Sequence, residues 1–231
     1  MRILVAARAF FGLALPAIIA ADGVWADQAW TNVGPQGGAI LVLTADPQNP
    51  GVFYVGTYVG VFKSVDAGVT WESAGLSGWV VNHVLVDRQD SSMVYALTTG
   101  LPNGDNPIIQ AFQSTDGGTT WNQTGSPPSP CCAVFTLDAQ GTLYAAGYNQ
   151  RELLTSTDGG ASWLTAGLLP VNYTFVDLAI DPQNAGTLYA ASAGNLAGRI
   201  VGTLFKSTDG GATWSQTGSG LATSNGDFFA P

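Results

Sequence analysis

Residues 206–214 read KSTDGGATW, and this stretch decides the fold because close copies of it stand at three other places in the chain. They are KSVDAGVTW at 63–71, QSTDGGTTW at 113–121 and TSTDGGASW at 155–163. A catalytic motif does not come in fours, so these copies belong to a repeat architecture. A second set of words alternates with the first: DPQNPGVFYVGT from 46, DRQDSSMVYALT from 87, DAQGTLYAAG from 138 and DPQNAGTLYAAS from 181, spaced by 41 to 51 residues.

Each period contains four short β-type runs bounded by Gly, Pro, Asn, Asp or Ser. In the last period they are TFVDLAID (174–181), TLYAAS (187–192), TLFKS (203–207) and ATWSQT (212–217). Four strands in a unit of this length predict a propeller blade. The fold expected is therefore all-β, a β-propeller of four-stranded antiparallel blades. Four complete blades span approximately 35–76, 77–125, 126–167 and 168–218. Composition agrees, since Val, Thr, Tyr, Phe and Trp are well represented and only 10% of residues are charged.

The repeated word suits the turn between the third and fourth strands. Ser64, Ser114, Ser156 and Ser207, with Asp66, Asp116, Asp158 and Asp209, can bond neighbouring backbone groups. Gly68, Gly118, Gly160 and Gly211 supply the positive φ that a side chain resists. Trp71, Trp121, Trp163 and Trp214 then start the fourth strand and bury their rings between blades. A calcium loop does not fit, because alternating oxygen ligands and a closing Glu are missing.

On these residues the chain resembles the Asp-box, or BNR, repeat propellers, with their pattern S-x-D-x-G-x-[TS]-W. Sialidases, sortilin-type receptor domains, two-domain xyloglucanases and a photosystem assembly factor share that repeat. The likeness covers nearly all of the chain after its leader.

Residues 1–26 read as a secretory signal peptide: Arg2 and Arg8 give a positive start, and AFFGLALPAIIA is an apolar run too short to span a bilayer. Cleavage is expected after Ala26, with Ala21 as the alternative. The protein is then secreted or periplasmic, without membrane insertion. Its formal charge of −9 becomes −10, because two arginines and Asp22 are removed. Such acidity, with five scattered basic residues left, argues against nucleic acid as a partner. Cys131 and Cys132 are adjacent and lack zinc spacing, so no metal or cofactor is expected; a vicinal disulfide, a bond to another chain and two thiols stay open.

Every repeated Trp is followed by three residues and a Gly, and a fifth copy, WTNVG at 30–34, has no Ser-x-Asp turn before it. An orphan outer strand is expected at 29–34, and a truncated next blade from 226. The expectation is an N-terminal fragment of a longer propeller, its open edge covered by missing C-terminal blades or by oligomerisation.

Antiparallel blades sort their connections onto two rims. The near-invariant turns share one, and the other receives the variable loops, where function is usually placed. Among those loops are TYVG (57–60), TGLPNGDNP (99–107), YNQR (148–151) and AGNLAGRIVG (193–202). Candidate binding residues on this rim are Tyr58, Trp79, His83, Tyr148, Arg151, Tyr173 and Arg199, for a glycan or protein ligand. Asp105 and Glu152 are weak catalytic candidates, since glycoside hydrolysis usually needs two carboxyl groups across the scissile bond.

The resemblance to sialidases stops at the turns, because their arginine cluster has no counterpart here. Xyloglucanases place a catalytic Asp in a segment similar to GTYVGVFKS, and Tyr58 stands where that Asp would be. The preferred expectation is a secreted binding or scaffold module. Its alternative is the N-terminal portion of a secreted glycoside hydrolase, xyloglucanase-like or sialidase-like.

Overall fold

The computed structural model describes residues 34, 39–100, 109–127, 134–147, 150–171, 173–184, 186–196 and 199–217. The expected leader, the expected orphan strand apart from Gly34, the segment from 226, and Cys131 and Cys132 lie outside them. Val33–Pro231 is a compact unit of its own.

Among the described residues there are strands and no helices. Sheet 1 is β1 (Ile40–Ala45), β2 (Phe53–Thr57), β3 (Gly60–Ser64) and β4 (Glu72–Ser73); sheet 2 is β5 (Val81–Val86), β6 (Val94–Thr98), β7 (Gln110–Ser114) and β8 (Asn122–Gln123). Sheet 3 is β9 (Val134–Leu137), β10 (Leu143–Ala146), β11 (Glu152–Ser156) and β12 (Leu164–Leu168); sheet 4 is β13 (Tyr173–Ile180), β14 (Leu188–Leu196), β15 (Arg199–Ser207) and β16 (Ser215–Thr217). Each sheet is an antiparallel meander in sequence order, and the four are propeller blades, as the repeat predicts.

Alternation along the second strand of each sheet builds the core, because successive side chains leave opposite faces. Val94 and Ala96 of β6 join the cluster shared with sheet 1, whereas Tyr95 and Leu97 join the one shared with sheet 3. Tyr144 and Ala146 of β10 likewise meet Phe175, Leu188 and Phe205 of sheet 4. Consecutive sheets thus share one apolar seam each.

The four repeated turns have one geometry. In the last, Ser207 Oγ donates to Asp209 Oδ1 at 2.7 Å and accepts from the Gly211 amide at 2.8 Å. Asp209 Oδ1 also accepts from the Thr213 amide at 2.9 Å. Ser64, Ser114 and Ser156 accept from Gly68, Gly118 and Gly160 in the same way. These serines are buried, so removing one hydroxyl orphans a buried amide. Ser156→Ala should lower the unfolding free energy by about 2 kcal/mol in urea denaturation. Thr157→Ala, at the exposed next position, should change it little.

Two strand assignments need correction. The fourth strands begin after the tryptophans and not at them: β16 starts at Ser215, because Asp209 holds the Thr213 amide inside the turn. The loop expected at 193–202 is instead a long hairpin, paired from Ala193↔Gly202 to Leu196↔Arg199. Its glycines suggest a break, but a continuous ladder with a neighbouring strand outweighs weak intrinsic preference.

Candidate functional site

Backbone bonds between turns sort the connections onto the two expected rims. On one, the third-to-fourth turn bonds the first-to-second turn of its own sheet: Ala67 donates to Gly51 at 2.9 Å, Gly117 to Ser92 at 2.9 Å and Gly210 to Gly186 at 2.9 Å. On the other, second-to-third turns meet the links between sheets. There Gly78 donates to the Val59 carbonyl at 3.1 Å, Leu169 to Arg151 at 2.8 Å and Phe175 to Gln150 at 3.2 Å.

The best-defined part of the variable rim is the turn from Thr57 to Gly60. Thr57 Oγ1 accepts from the Val59 amide at 3.1 Å and donates to the Gly60 carbonyl at 2.9 Å, which holds the turn in shape. Tyr58 and Val59 at its tip are 49% and 40% exposed. The link 75–79 lies beside this tip, because an added Cβ on Gly60 would stand 2.8 Å from the Gly75 carbonyl. Tyr58 and Val59 therefore stand exposed beside the backbone of that link. Val59 is the residue that sequence reasoning misses; its place beside Tyr58 in a two-residue tip is the available signal.

Most of the other candidates are tied into the sheets. Trp79 and Tyr173 are partly buried packing residues: Trp79 meets Phe112 edge-on at 5.3 Å, and Tyr173 meets Phe205 at 5.1 Å. His83 and Tyr173, expected in loops, belong to β5 and β13, and His83 sets its ring 5.9 Å from Phe135 of sheet 3. Arg199 likewise opens β15 and is not in a loop. For the aromatic residues the cause is shared: the seams between sheets extend to the rim and recruit their rings.

Arg151 precedes β11, and its carbonyl accepts from the Leu169 amide. Glu152, the first residue of β11, accepts a hydrogen bond from the Thr165 hydroxyl of β12. Tyr148 and Asp105 lie outside the described residues, so the pairing of Asp105 with Glu152 has no geometry. Among the described residues no group of His, Cys, Asp and Glu is arranged to hold a metal. None forms a helix long and apolar enough to cross a membrane.

No protein-family model matches the chain. It is 28% identical over 223 residues to a xyloglucanase of Hypocrea jecorina, covering 91% of this chain and 21% of the relative. A Niastella koreensis GH74 enzyme has a similar fold, with a TM-score of 0.59 and 22% identity over 75% of this chain and 28% of that one. The structure of YCF48 bound to D1 peptide is also similar, with a TM-score of 0.56 and 20% identity over 82% of this chain and 58% of that one. The chain therefore spans about a fifth of the length of the xyloglucanase it matches. It is a β-propeller whose similar proteins include xyloglucanases.

Proposed function

We propose that this chain is the blade-forming N-terminal portion of a secreted glycoside hydrolase of xyloglucanase type, built from Asp-box repeats. One observation carries the reading: the similarity to the Hypocrea jecorina xyloglucanase runs over 91% of this chain. A span of that length reaches all four sheets and far exceeds the four short turns, which proteins of unrelated function share. It favours this reading over an independent binding or scaffold module.

Within such an enzyme, the chain's part is to hold the polysaccharide. The Tyr58–Val59 tip offers a flat aromatic ring and an aliphatic neighbour on the variable rim, suited to the apolar face of a pyranose. The catalytic Asp of the resembling segment is replaced by Tyr58, and a phenol is a poor substitute for a carboxylic acid in glycoside hydrolysis. Hydrolysis then depends on carboxylates elsewhere, with Glu152 the described candidate on this rim.

Affinity electrophoresis of the chain through gels containing xyloglucan tests the assignment. Retardation should appear with xyloglucan, and Tyr58→Ala should weaken it about tenfold, the equivalent of roughly 1.4 kcal/mol. Migration unaffected by xyloglucan would overturn the polysaccharide reading.

A further inference from the structure

We propose that the groove between sheets 1 and 2, on the rim of the repeated turns, is a binding site for a neutral sugar ring. It lies on the opposite rim from Tyr58, and it stands whether or not Tyr58 holds polysaccharide. The groove measures about 300 Å³, at the lower end of the range for small-ligand sites. Lys63, Glu72, Ser73 and Val65 line it from sheet 1, and Gly117 and Thr119 line it from the Ser-x-Asp turn of sheet 2.

Lys63 is fixed before any ligand arrives. Its ammonium donates to the Gly117 carbonyl at 2.9 Å and stands 5.0 Å from the centre of the Tyr54 ring. The Tyr54 hydroxyl donates to the same oxygen at 2.9 Å, so a tyrosine and a lysine together grip the turn of the next blade. One of the three ammonium donors is used in this way, and two remain. Glu72 on β4 is the cross-strand partner of Lys63. Its side chain is exposed and makes no hydrogen bond or ion pair with the described residues. An ammonium held to the turn and an unpaired carboxylate therefore line one groove without meeting.

The ligand class follows from these donors and acceptors. A sugar hydroxyl both donates and accepts, so adjacent hydroxyls of one ring can donate to Glu72 and accept from Lys63. Ser73 and Thr119 add hydroxyls of their own. Val65, 70% exposed, offers an aliphatic wall to the C–H face of the ring. Charged ligands fit less well. An anion would face Glu72 and the Asp66 carboxylate, which accepts from Thr70 at the edge of the groove. A cation would face the Lys63 ammonium.

The other described sheets do not repeat the charged pair. Gln113 and Asn122 take the places of Lys63 and Glu72 in sheet 2, Thr155 and Leu164 take them in sheet 3, and Lys206 of sheet 4 is paired with Ser215. The Gln113 amide lies against the turn of sheet 3, where an added Cβ on Gly159 would stand 2.7 Å from its nitrogen. The pair is thus particular to one groove, as a site requires, and is not a device that every turn needs.

Amide NMR spectra of the full chain, titrated with a xyloglucan oligosaccharide, test the groove residue by residue. The signals of Ser73, Gly118 and Thr119 should shift and saturate. Glu72→Ala should weaken this binding about tenfold, as loss of a hydrogen bond to a charged group does. Val65→Asp, which replaces the aliphatic wall by a carboxylate, should weaken it as well. Both positions are exposed, so neither change should move the unfolding midpoint. An oligogalacturonate, whose sugars carry carboxylates, should bind about tenfold more weakly than the neutral oligosaccharide. Groove amides that do not shift, an affinity unchanged in both variants, or equal binding of the oligogalacturonate would each overturn the proposal. The Val59 amide reports the other rim separately. Shifts there without shifts in the groove would overturn this site and leave the reading of Tyr58 intact, and shifts in the groove alone would do the reverse.

Discussion

Gly125→Ala and Gly167→Ala are each expected to destabilise the fold by about 3 kcal/mol, the upper end of the range for overpacking a tight contact. The reason is backbone contact, not flexibility. An added Cβ on Gly125 would lie 2.3 Å from the Ala161 carbonyl oxygen, and one on Gly167 would lie 2.2 Å from that of Gly211. A carbon atom cannot stand this close to a carbonyl oxygen, so two neighbouring sheets would have to separate. Separation opens the apolar seam between them, and the cost is therefore not confined to one contact. Gly202→Ala is the control: its added carbon meets only the Ser192 carbonyl at 3.9 Å, and stability should hold or rise slightly. Urea denaturation of the three variants measures the difference. Equal midpoints for Gly125→Ala and Gly202→Ala would refute the close-approach explanation.

These glycines also mark how much of the fold is legible in the sequence. A glycine four residues after each repeated tryptophan is plain to see, yet at Gly125 and Gly167 its meaning is a distance between two sheets. No local pattern encodes that distance. Blade number and strand order are legible because they follow from local punctuation repeated in phase, with Ser, Asp and Gly fixing each turn by short-range bonds. The grip of Tyr54 and Lys63 on Gly117 is not legible, because its partners lie 63 and 54 residues apart.

The rim is harder to read for a related reason. Trp79, His83 and Tyr173 sit near Gly, Pro and Asn, which suggests loops carrying exposed aromatic side chains. The seams between sheets run further than those stretches imply, and all three rings pack against phenylalanines. Tyr58 differs because a two-residue turn leaves its side chain no strand to join. Exposure at this rim is thus decided by the length of the turn, and the residue type alone does not reveal it.

Acid should remove the stability that the four turn carboxylates contribute, a contribution steady above about pH 5 and falling as the pH drops towards 2. Asp66, Asp116, Asp158 and Asp209 all have their pKa lowered from 3.8 to about 2. The largest cause is the hydroxyl of Thr70, Thr120, Ser162 or Thr213, followed by that residue's backbone amide and then by the turn serine. The sign follows from the depressed folded value. Unfolded carboxyls bind protons first as the pH falls through 3.8, so protonation favours the unfolded chain until the folded groups also titrate near 2.

A competing effect has the opposite sign. The chain has a formal charge of −9 and a sequence pI near 4.1, so approaching that pH relieves repulsion among its carboxylates and should stabilise the compact state. Repulsion between separated surface charges is screened by salt, whereas a hydrogen bond to a carboxylate, with donor and acceptor in contact, is screened much less. High salt should therefore raise the unfolding midpoint at neutral pH and leave the acid limb in place. Replacing Thr70, Thr120, Ser162 and Thr213 together by Ala removes the largest cause at all four turns and should flatten that limb. An acid limb unchanged in the fourfold variant would show that the turns do not set the acid response.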